Sequence, residues 1–415
     1  MSLSEALLLV PLWPLLLAWP RWRRRGVRWL LGFALLPAVL ALPLVPQRLD
    51  MPWLLFGSGL ALDGATWPGL LGAVLIWSLV LVAPVGGGGL REQYRGGLLL
   101  ALAGHLWAVL ATEPVAFFAA SGICGYALCV LMMRGGHPLA VRAGRRFLGL
   151  FLIADLLLFE ALLLAVGQVG SAELATGAGS AASVALLVAG LLLRSALWPL
   201  WLWVPDMLAA SRPALRPVLI AVPIVLGMTG LWRWVPAGTG AGVAGIVLQG
   251  LGVVGVLHAL LGAGVARRKG GLRRRALPLL TLLITGLMCA LLGRGLADPA
   301  RSLLPDGGGP WVVAAAGVLL AVLARWAGSV PEGRCRSASG WLQRFADGLA
   351  GCGERWQAAF RRRWQRLCGL FVARSVVMAA LEQDLRRWQV AMILFVLVTT
   401  VLMLLLVAGS AAACQ

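Results

Sequence analysis

Long apolar runs separated by short polar connections constrain this chain more than any other feature of its sequence. Of its 415 residues, 60% are hydrophobic and 13% are charged, whereas soluble domains carry about 25% charged residues. The hydrocarbon core of a bilayer is about 30 Å thick, and about 20 apolar residues in an α-helix cross it. The sequence therefore predicts an all-α protein, a polytopic transmembrane helical bundle.

The apolar runs predict about twelve transmembrane helices. The predicted spans are 2–20, 29–46, 67–84, 97–112, 114–133, 147–167, 181–203, 217–236, 242–265, 276–296, 311–327 and 388–409. The apolar N-terminus precedes its arginines, which is the reverse of the order in a cleaved signal peptide, so we interpret it as the first span.

The placement of arginine predicts how the bundle is oriented. If RWRRRGVR at 21–28 is cytoplasmic, the alternation of spans puts five further segments on the same side: 85–96, 134–146, 204–216, 266–275 and 328–387. These segments hold most of the arginines, as expected for cytoplasmic loops. Both termini are therefore predicted on the non-cytoplasmic side, in a bacterial inner membrane. The net charge of +20 reflects this anchoring and does not indicate a nucleic-acid partner.

A shift in composition divides the chain into three parts. Residues 1–327 form the predicted transmembrane region with about eleven helices, and residues 388–415 hold the last span. Residues 328–387 are too charged to cross the membrane, and their Trp, Phe and Leu interleave with arginine at helical spacing. That pattern is typical of helices lying on a membrane surface. Two interpretations stay open for this segment: a lipid-contacting linker, or a docking surface for a partner subunit.

The segment RSALWPLWLWVPDMLAASRP, from Arg194 to Pro213, is the most informative motif. Proline breaks a helix, and a broken helix persists at membrane depth only where protein or a cavity satisfies its backbone. The segment resembles the seventh-helix motif of the antiporter-like, proton-translocating membrane subunits of respiratory complex I, Mrp antiporters and hydrogenase-4. The matching residues are Ser195, Ala196, Pro199, Leu200, Trp203, Pro205, Asp206 and Pro213, and Gly227 continues the register.

Two shorter patches support this resemblance. FAASGICGY (118–126) resembles the family's fifth helix, and LALDG (60–64) resembles the element before the third. The likeness covers roughly residues 50–295. It implies an antiporter-like bundle with a broken seventh helix, in a shortened and degenerate form.

The resemblance also implies that this chain lacks the family's proton-handling residues. The resemblance implies that proton pumping depends on a glutamate in the fifth helix, a lysine in the seventh helix and a histidine in the eighth helix. The corresponding residues here are Ala119, Arg194 and Leu219, and the only lysine, Lys269, lies in a basic loop. Arginine, with a pKa above about 12, does not release a proton in proteins. We therefore expect a structural or weakly conducting subunit.

Ionisable residues within predicted spans are candidates for a proton path or a buried ion pair. They are Asp155, Glu160, Arg194, His105 and His258. The two carboxylates lie five residues apart, about 140° around a helix, so they do not form a dyad. We expect Asp155 to pair with Arg194, because an unpaired charge at this depth costs at least about 2.5–3.5 kcal/mol, and we favour a fixed salt bridge over a conducting role. A single buried histidine more often has a packing role than a relay role.

The sequence contains no recognisable catalytic, cofactor or metal-binding motif, and its seven cysteines lack ligand spacing. The leading interpretation is a membrane subunit of a complex I-like proton-translocating redox assembly. Its partners would be other membrane subunits, including intact antiporter-like homologues. One alternative is the membrane partner of a complex I-like inorganic-carbon uptake system. The other is an independent transporter that uses Asp155, Glu160 and Arg194.

Overall fold

The computed structural model describes residues 5–19, 33–51, 58–81, 92–134, 138–169, 181–198, 200–235, 241–268, 272–297 and 308–329. These residues form twelve α-helices and one β-hairpin. The helices are α1 (Ala6–Ala18), α2 (Leu36–Ala41), α3 (Trp67–Leu81), α4 (Glu92–Leu110), α5 (Pro114–Met133), α6 (Pro138–Val169), α7 (Ala181–Arg194), α8 (Trp203–Ala210), α9 (Arg216–Trp234), α10 (Ala241–Arg268), α11 (Leu272–Ala297) and α12 (Gly308–Ser329).

The predicted fold class, an all-α polytopic bundle, is confirmed. Six of the described helices, α5, α6, α9, α10, α11 and α12, are long and apolar enough to cross a membrane. Four shorter apolar helices, α1, α3, α4 and α7, accompany them. The count of about twelve spans stays a prediction. The predicted span at 388–409 and the segment 328–387 beyond Ser329 lie outside the described residues.

The described part of the predicted span at 29–46, residues 33–46, is not one continuous helix. Helix α2 has six residues there, Leu36–Ala41, and Leu42 and Leu44 then form i→i+3 turns before the chain enters a strand. Pro43 and Pro46 lie shortly after the helix ends at Ala41, and a proline cannot donate the hydrogen bond that would continue it. An apolar composition therefore did not guarantee a continuous helix.

A short antiparallel hairpin lies between α2 and α3. Strand β1 (Gln47–Asp50) pairs with β2 (Gly59–Leu62), so that Gln47 lies opposite Leu62 and Asp50 opposite Gly59. Leu60 also bridges to Ala111 at the end of α4. The hairpin thus connects the start of α3 to the end of α4.

Helix α9 occupies the centre of the bundle. It packs against α3, α4, α5, α7, α8, α11 and α12, and from Pro217 to Met228 every residue is buried. A helix that is apolar all around its circumference belongs inside a larger bundle. Helix α9 therefore forms the surface against which the broken segment after α7 packs.

Helices α10 and α11 pack so closely that their backbones touch. Gly245 and Gly252 of α10 face Gly286 and Gly293 of α11. A Cβ atom on Gly252 would lie 2.5 Å from the backbone nitrogen of Ala290, which is too close for any side chain. Small residues at helical spacing are the usual means of close helix packing in membranes, where apolar burial gives little driving force.

Candidate functional site

Helix α7 ends at Arg194, where the sequence predicts a broken helix. The Ser195 amide donates to the Leu192 carbonyl at 3.1 Å, and its Oγ donates to the Leu191 carbonyl at 2.7 Å. Ala196 has φ 52°, the left-handed conformation that commonly ends helices. A 3₁₀ turn (Leu200–Leu202) then leads into α8. Pro199 lies outside the described residues.

Gly227 of α9 permits this break to lie against the central helix. A Cβ atom there would overlap Ser195 Oγ and lie 2.9 Å from the Leu191 carbonyl oxygen. Only glycine therefore allows the end of α7 to approach α9 this closely. The position continues the register of the motif, so the same sequence pattern specifies both the break and the surface that receives it.

Arg194 is the centre of a cluster built by three helices. Its Nη2 forms an ion pair with Asp155 Oδ1 of α6, and its Nη1 donates to Ser121 Oγ of α5 at 2.5 Å. The Tyr126 hydroxyl of α5 donates to Asp155 Oδ2 at 2.5 Å. The Phe151 ring lies beneath the guanidinium, with Cζ 4.4 Å from the ring centroid. Each oxygen of the carboxylate and each terminal nitrogen of the guanidinium thus has a partner or a ring face.

Burial and charge make this cluster a compact, neutral unit. The Arg194 side chain is 2% exposed and that of Asp155 is 14% exposed. Arg194 also lies at the C-terminal end of α7, where the helix dipole favours a cation. Phe151 and Asp155 are four residues apart on α6 and therefore share one face of that helix. At Tyr126, which is exposed on α5, the cluster reaches the outer surface of the bundle.

The arrangement can hold three helices together, but it offers little for proton transfer. Arginine stays protonated, and the carboxylate accepts from both Arg194 and Tyr126. Among the described residues, no histidine or second carboxylate is hydrogen-bonded to the cluster. Nor does the described part of the chain contain a group of three or more His, Cys, Asp or Glu side chains suited to a metal.

The other predicted polar candidates lie away from this cluster. Glu160 is exposed on α6. His105 of α4 is buried, and its Nδ1 accepts from Trp77 Nε1 at 2.8 Å. His258 of α10 is buried beside Trp201, with ring centroids 5.7 Å apart. The five sequence candidates thus separate into one ion pair and three dispersed residues.

The remaining motif residues shape the segment after the break. Trp203 is buried and packs on Phe147, with centroids 5.0 Å apart. Asp206 forms a half-buried ion pair with Arg146 of α6. Pro205 lies in the first turn of α8, where no helical hydrogen bond is lost, and Pro213 is exposed in the following turn.

Two positions mark side chains that the resemblance implies have been replaced. Ala119 is half-buried on α5, and Leu219 is fully buried on the central helix α9.

The roles of Ser121, Phe151 and Arg146 were not predicted from the sequence. Ser121 lies within the FAASGICGY patch but is not among its matching residues, and Phe151 lies outside every motif. Only the relative rotation of α5, α6 and α7 shows that both residues meet Arg194.

A broken helix with a buried cation at the break is the arrangement that the resemblance to antiporter-like membrane subunits implies. Residues 113–277 match the family described as NADH:quinone oxidoreductase/Mrp antiporter, TM. NADH-quinone oxidoreductase subunit N of Cereibacter sphaeroides is 30% identical over 305 residues, which are 71% of this chain and 64% of that protein. This chain therefore belongs to the antiporter-like membrane subunits of the complex I and Mrp family.

Solved structures share the fold. The Mrp complex from a Dietzia species has a chain that matches with a TM-score of 0.62 at 21% identity, covering 79% of this chain and 37% of that chain. The membrane-bound sulfane sulfur reductase, an archaeal respiratory membrane complex, matches with a TM-score of 0.61 at 16% identity, covering 78% and 56%. The chain thus spans just under two thirds of the subunit N relative, and a smaller share of both solved chains.

Proposed function

We propose that this chain is a membrane subunit of a complex I-like, proton-translocating assembly, in which it is structural or weakly conducting. The proposal rests on the environment of Arg194. Its guanidinium is buried at the helix break and contacts Asp155, Ser121 and Phe151. The resemblance implies a lysine at this position in pumping relatives.

The structural role follows from how arginine differs chemically from lysine. A buried lysine changes its pKa readily, whereas arginine keeps its charge and its planar hydrogen-bonding geometry. Here the guanidinium engages a carboxylate, a hydroxyl and a ring at the same time. A group held on three sides, with a charge that does not change, serves as a fixed link between α5, α6 and α7.

The assembly part of the proposal is supported by the relatives and by the outer surface of the bundle. One relative is a subunit of NADH-quinone oxidoreductase, and the matching solved chains come from multi-subunit membrane complexes. Helix α6 has one continuous exposed apolar face, formed by Leu152, Leu156, Phe159, Leu163 and Val166. Such a face is suited to lipid or to a neighbouring membrane subunit.

The test is an Arg194→Gln variant in the natural membrane, compared with Arg142→Gln, which removes the same charge from an exposed position on α6. We expect Arg194→Gln to lower the amount of assembled complex while each assembled complex keeps its proton pumping in inverted vesicles. Arg142→Gln should assemble normally. Loss of pumping from fully assembled Arg194→Gln complex would overturn the structural role.

The assembly itself is tested by purification in a gentle detergent, followed by identification of the proteins that remain bound. We expect redox subunits with iron–sulfur or quinone-binding motifs. A large soluble partner with a zinc site would instead support an inorganic-carbon uptake system, and a chain that purifies alone would support an independent transporter.

A further inference from the structure

A second group of arginines lies where α4 and α9 begin. The guanidinium of Arg212, in the turn between α8 and α9, lies over the ring of Tyr94 with Cζ 4.9 Å from the centroid. Arg95 follows Tyr94 directly, and Arg216 is the first residue of α9. The Tyr94–Arg212 contact therefore brings Arg95, Arg212 and Arg216 to the same end of the bundle.

Three buried polar atoms of this cluster lack hydrogen-bond partners within the described part of the chain. The Tyr94 side chain is 1% exposed, and its hydroxyl, Arg95 Nε and Arg216 Nε are all buried without a hydrogen bond. None of the three arginines is paired with a carboxylate among the described residues. Most buried polar groups in proteins are hydrogen-bonded, so this arrangement is incomplete.

The start of α9 adds to the positive field. Leu215 caps this 19-residue helix without a side-chain hydrogen bond, and Pro217 follows in its first turn. The N-terminal end of a helix carries partial positive charge and favours an anion. Three arginines, a buried hydroxyl and a helix N-terminus thus lie at one end of the bundle, and no carboxylate among the described residues pairs with these arginines.

We propose that Arg95, Arg212, Arg216 and the Tyr94 hydroxyl form a binding site for a phosphoryl group. A tetrahedral phosphate presents several acceptor oxygens, and arginine is the side chain best suited to pair with them. The arginine distribution predicts that this end of the bundle faces the cytoplasm, beside the head groups of the inner leaflet. Basic pockets between membrane helices on that side bind anionic lipid head groups. The ligand is therefore the head group of an anionic phospholipid or free phosphate.

The test uses the full chain, purified and stripped of lipid, and measures thermal stability and ligand retention. The probes are phosphatidylglycerol, phosphatidylcholine and inorganic phosphate. We expect phosphatidylglycerol to raise the melting temperature and to remain bound in native mass spectrometry, whereas phosphatidylcholine does neither. Stabilisation by inorganic phosphate alone would still support the site and would assign it to a soluble ligand.

Arg216→Gln and Arg212→Gln should weaken binding of the effective probe about tenfold each, since a charge-assisted hydrogen bond has roughly this effect. Tyr94→Phe keeps the ring under Arg212 and should weaken binding a few-fold, which keeps the test informative if an arginine variant does not fold. Arg142→Gln, an exposed arginine, is the matched control and should bind normally. Equal binding by all four variants, or no stabilisation by either anionic probe, would overturn the proposal.

Discussion

Arg194, the last residue of α7, forms an ion pair with Asp155 of α6 beneath the surface of the bundle. The pair joins two helices that are consecutive in the chain but separated by residues 170–180, which lie outside the described ranges. Ser121 and Tyr126 extend it to α5. Charge, hydrogen bonding and helix packing therefore depend on the same few side chains.

Asp155→Asn is expected to destabilise the protein by about 3–5 kcal/mol, because it leaves a buried arginine without its counter-charge. The measurement is the thermal unfolding of purified protein in detergent, together with the yield of folded chain. Glu160→Gln, which neutralises an exposed carboxylate on the same helix, should have little effect.

A double variant separates the ion pair from other effects of the substitution. Asp155→Asn combined with Arg194→Gln should be less unstable than the sum of the single variants, since two groups in contact are energetically coupled. Strictly additive losses would show that the pair contributes no interaction of its own.

Tyr126→Phe is expected to lower stability by about 1.5–3 kcal/mol, the usual contribution of a hydrogen bond to a charged group. The ring remains, so its edge contact with Phe151, with centroids 5.5 Å apart, is kept. Thermal unfolding would measure the change. A stability equal to that of the unaltered protein would mean that the hydroxyl does not support the carboxylate.

Gly227→Ala is expected to destabilise the protein by about 1–3 kcal/mol, the usual penalty for overpacking. The added methyl group would overlap Ser195 Oγ and push the end of α7 away from α9. Gly250→Ala on α10 is the matched control, because nothing lies within 4 Å of its Cβ position. That change should be neutral or slightly stabilising, since alanine favours helix more than glycine by about 1 kcal/mol. Equal stability of the two variants would contradict the close approach at Gly227.

The partner of Arg194 was predictable because a charge in an apolar environment requires compensation, and Asp155 is one of the two carboxylates, with Glu160, on the adjacent predicted span. Ser121 and Phe151 were not predictable in the same way. Their roles depend on how far α5 and α6 are rotated about their axes. These helices are apolar over most of their surface, so their sequences do not indicate which face points inward. The ion pair follows from electrostatics, whereas the rest of the cluster follows from packing.

A similar limit explains the region between α2 and α3. Hydropathy identified apolar residues at 29–46, but it did not distinguish a membrane helix from a short helix that leads into a strand. The hairpin has only four residues in each strand, which is too short for an alternating pattern to stand out. The helix break at Arg194 was easier to predict because several prolines and a dense motif mark it.

The contact between α10 and α11 has a consequence for how the protein is made. The two helices are neighbours in the chain, joined through residues 269–271, and together they form a helical hairpin. The glycines that let their backbones touch all lie within this helical hairpin. The close backbone contacts at these glycines are all between α10 and α11. We expect the hairpin to form during synthesis, as soon as α11 has entered the bilayer, and to reach the growing bundle as a preassembled unit.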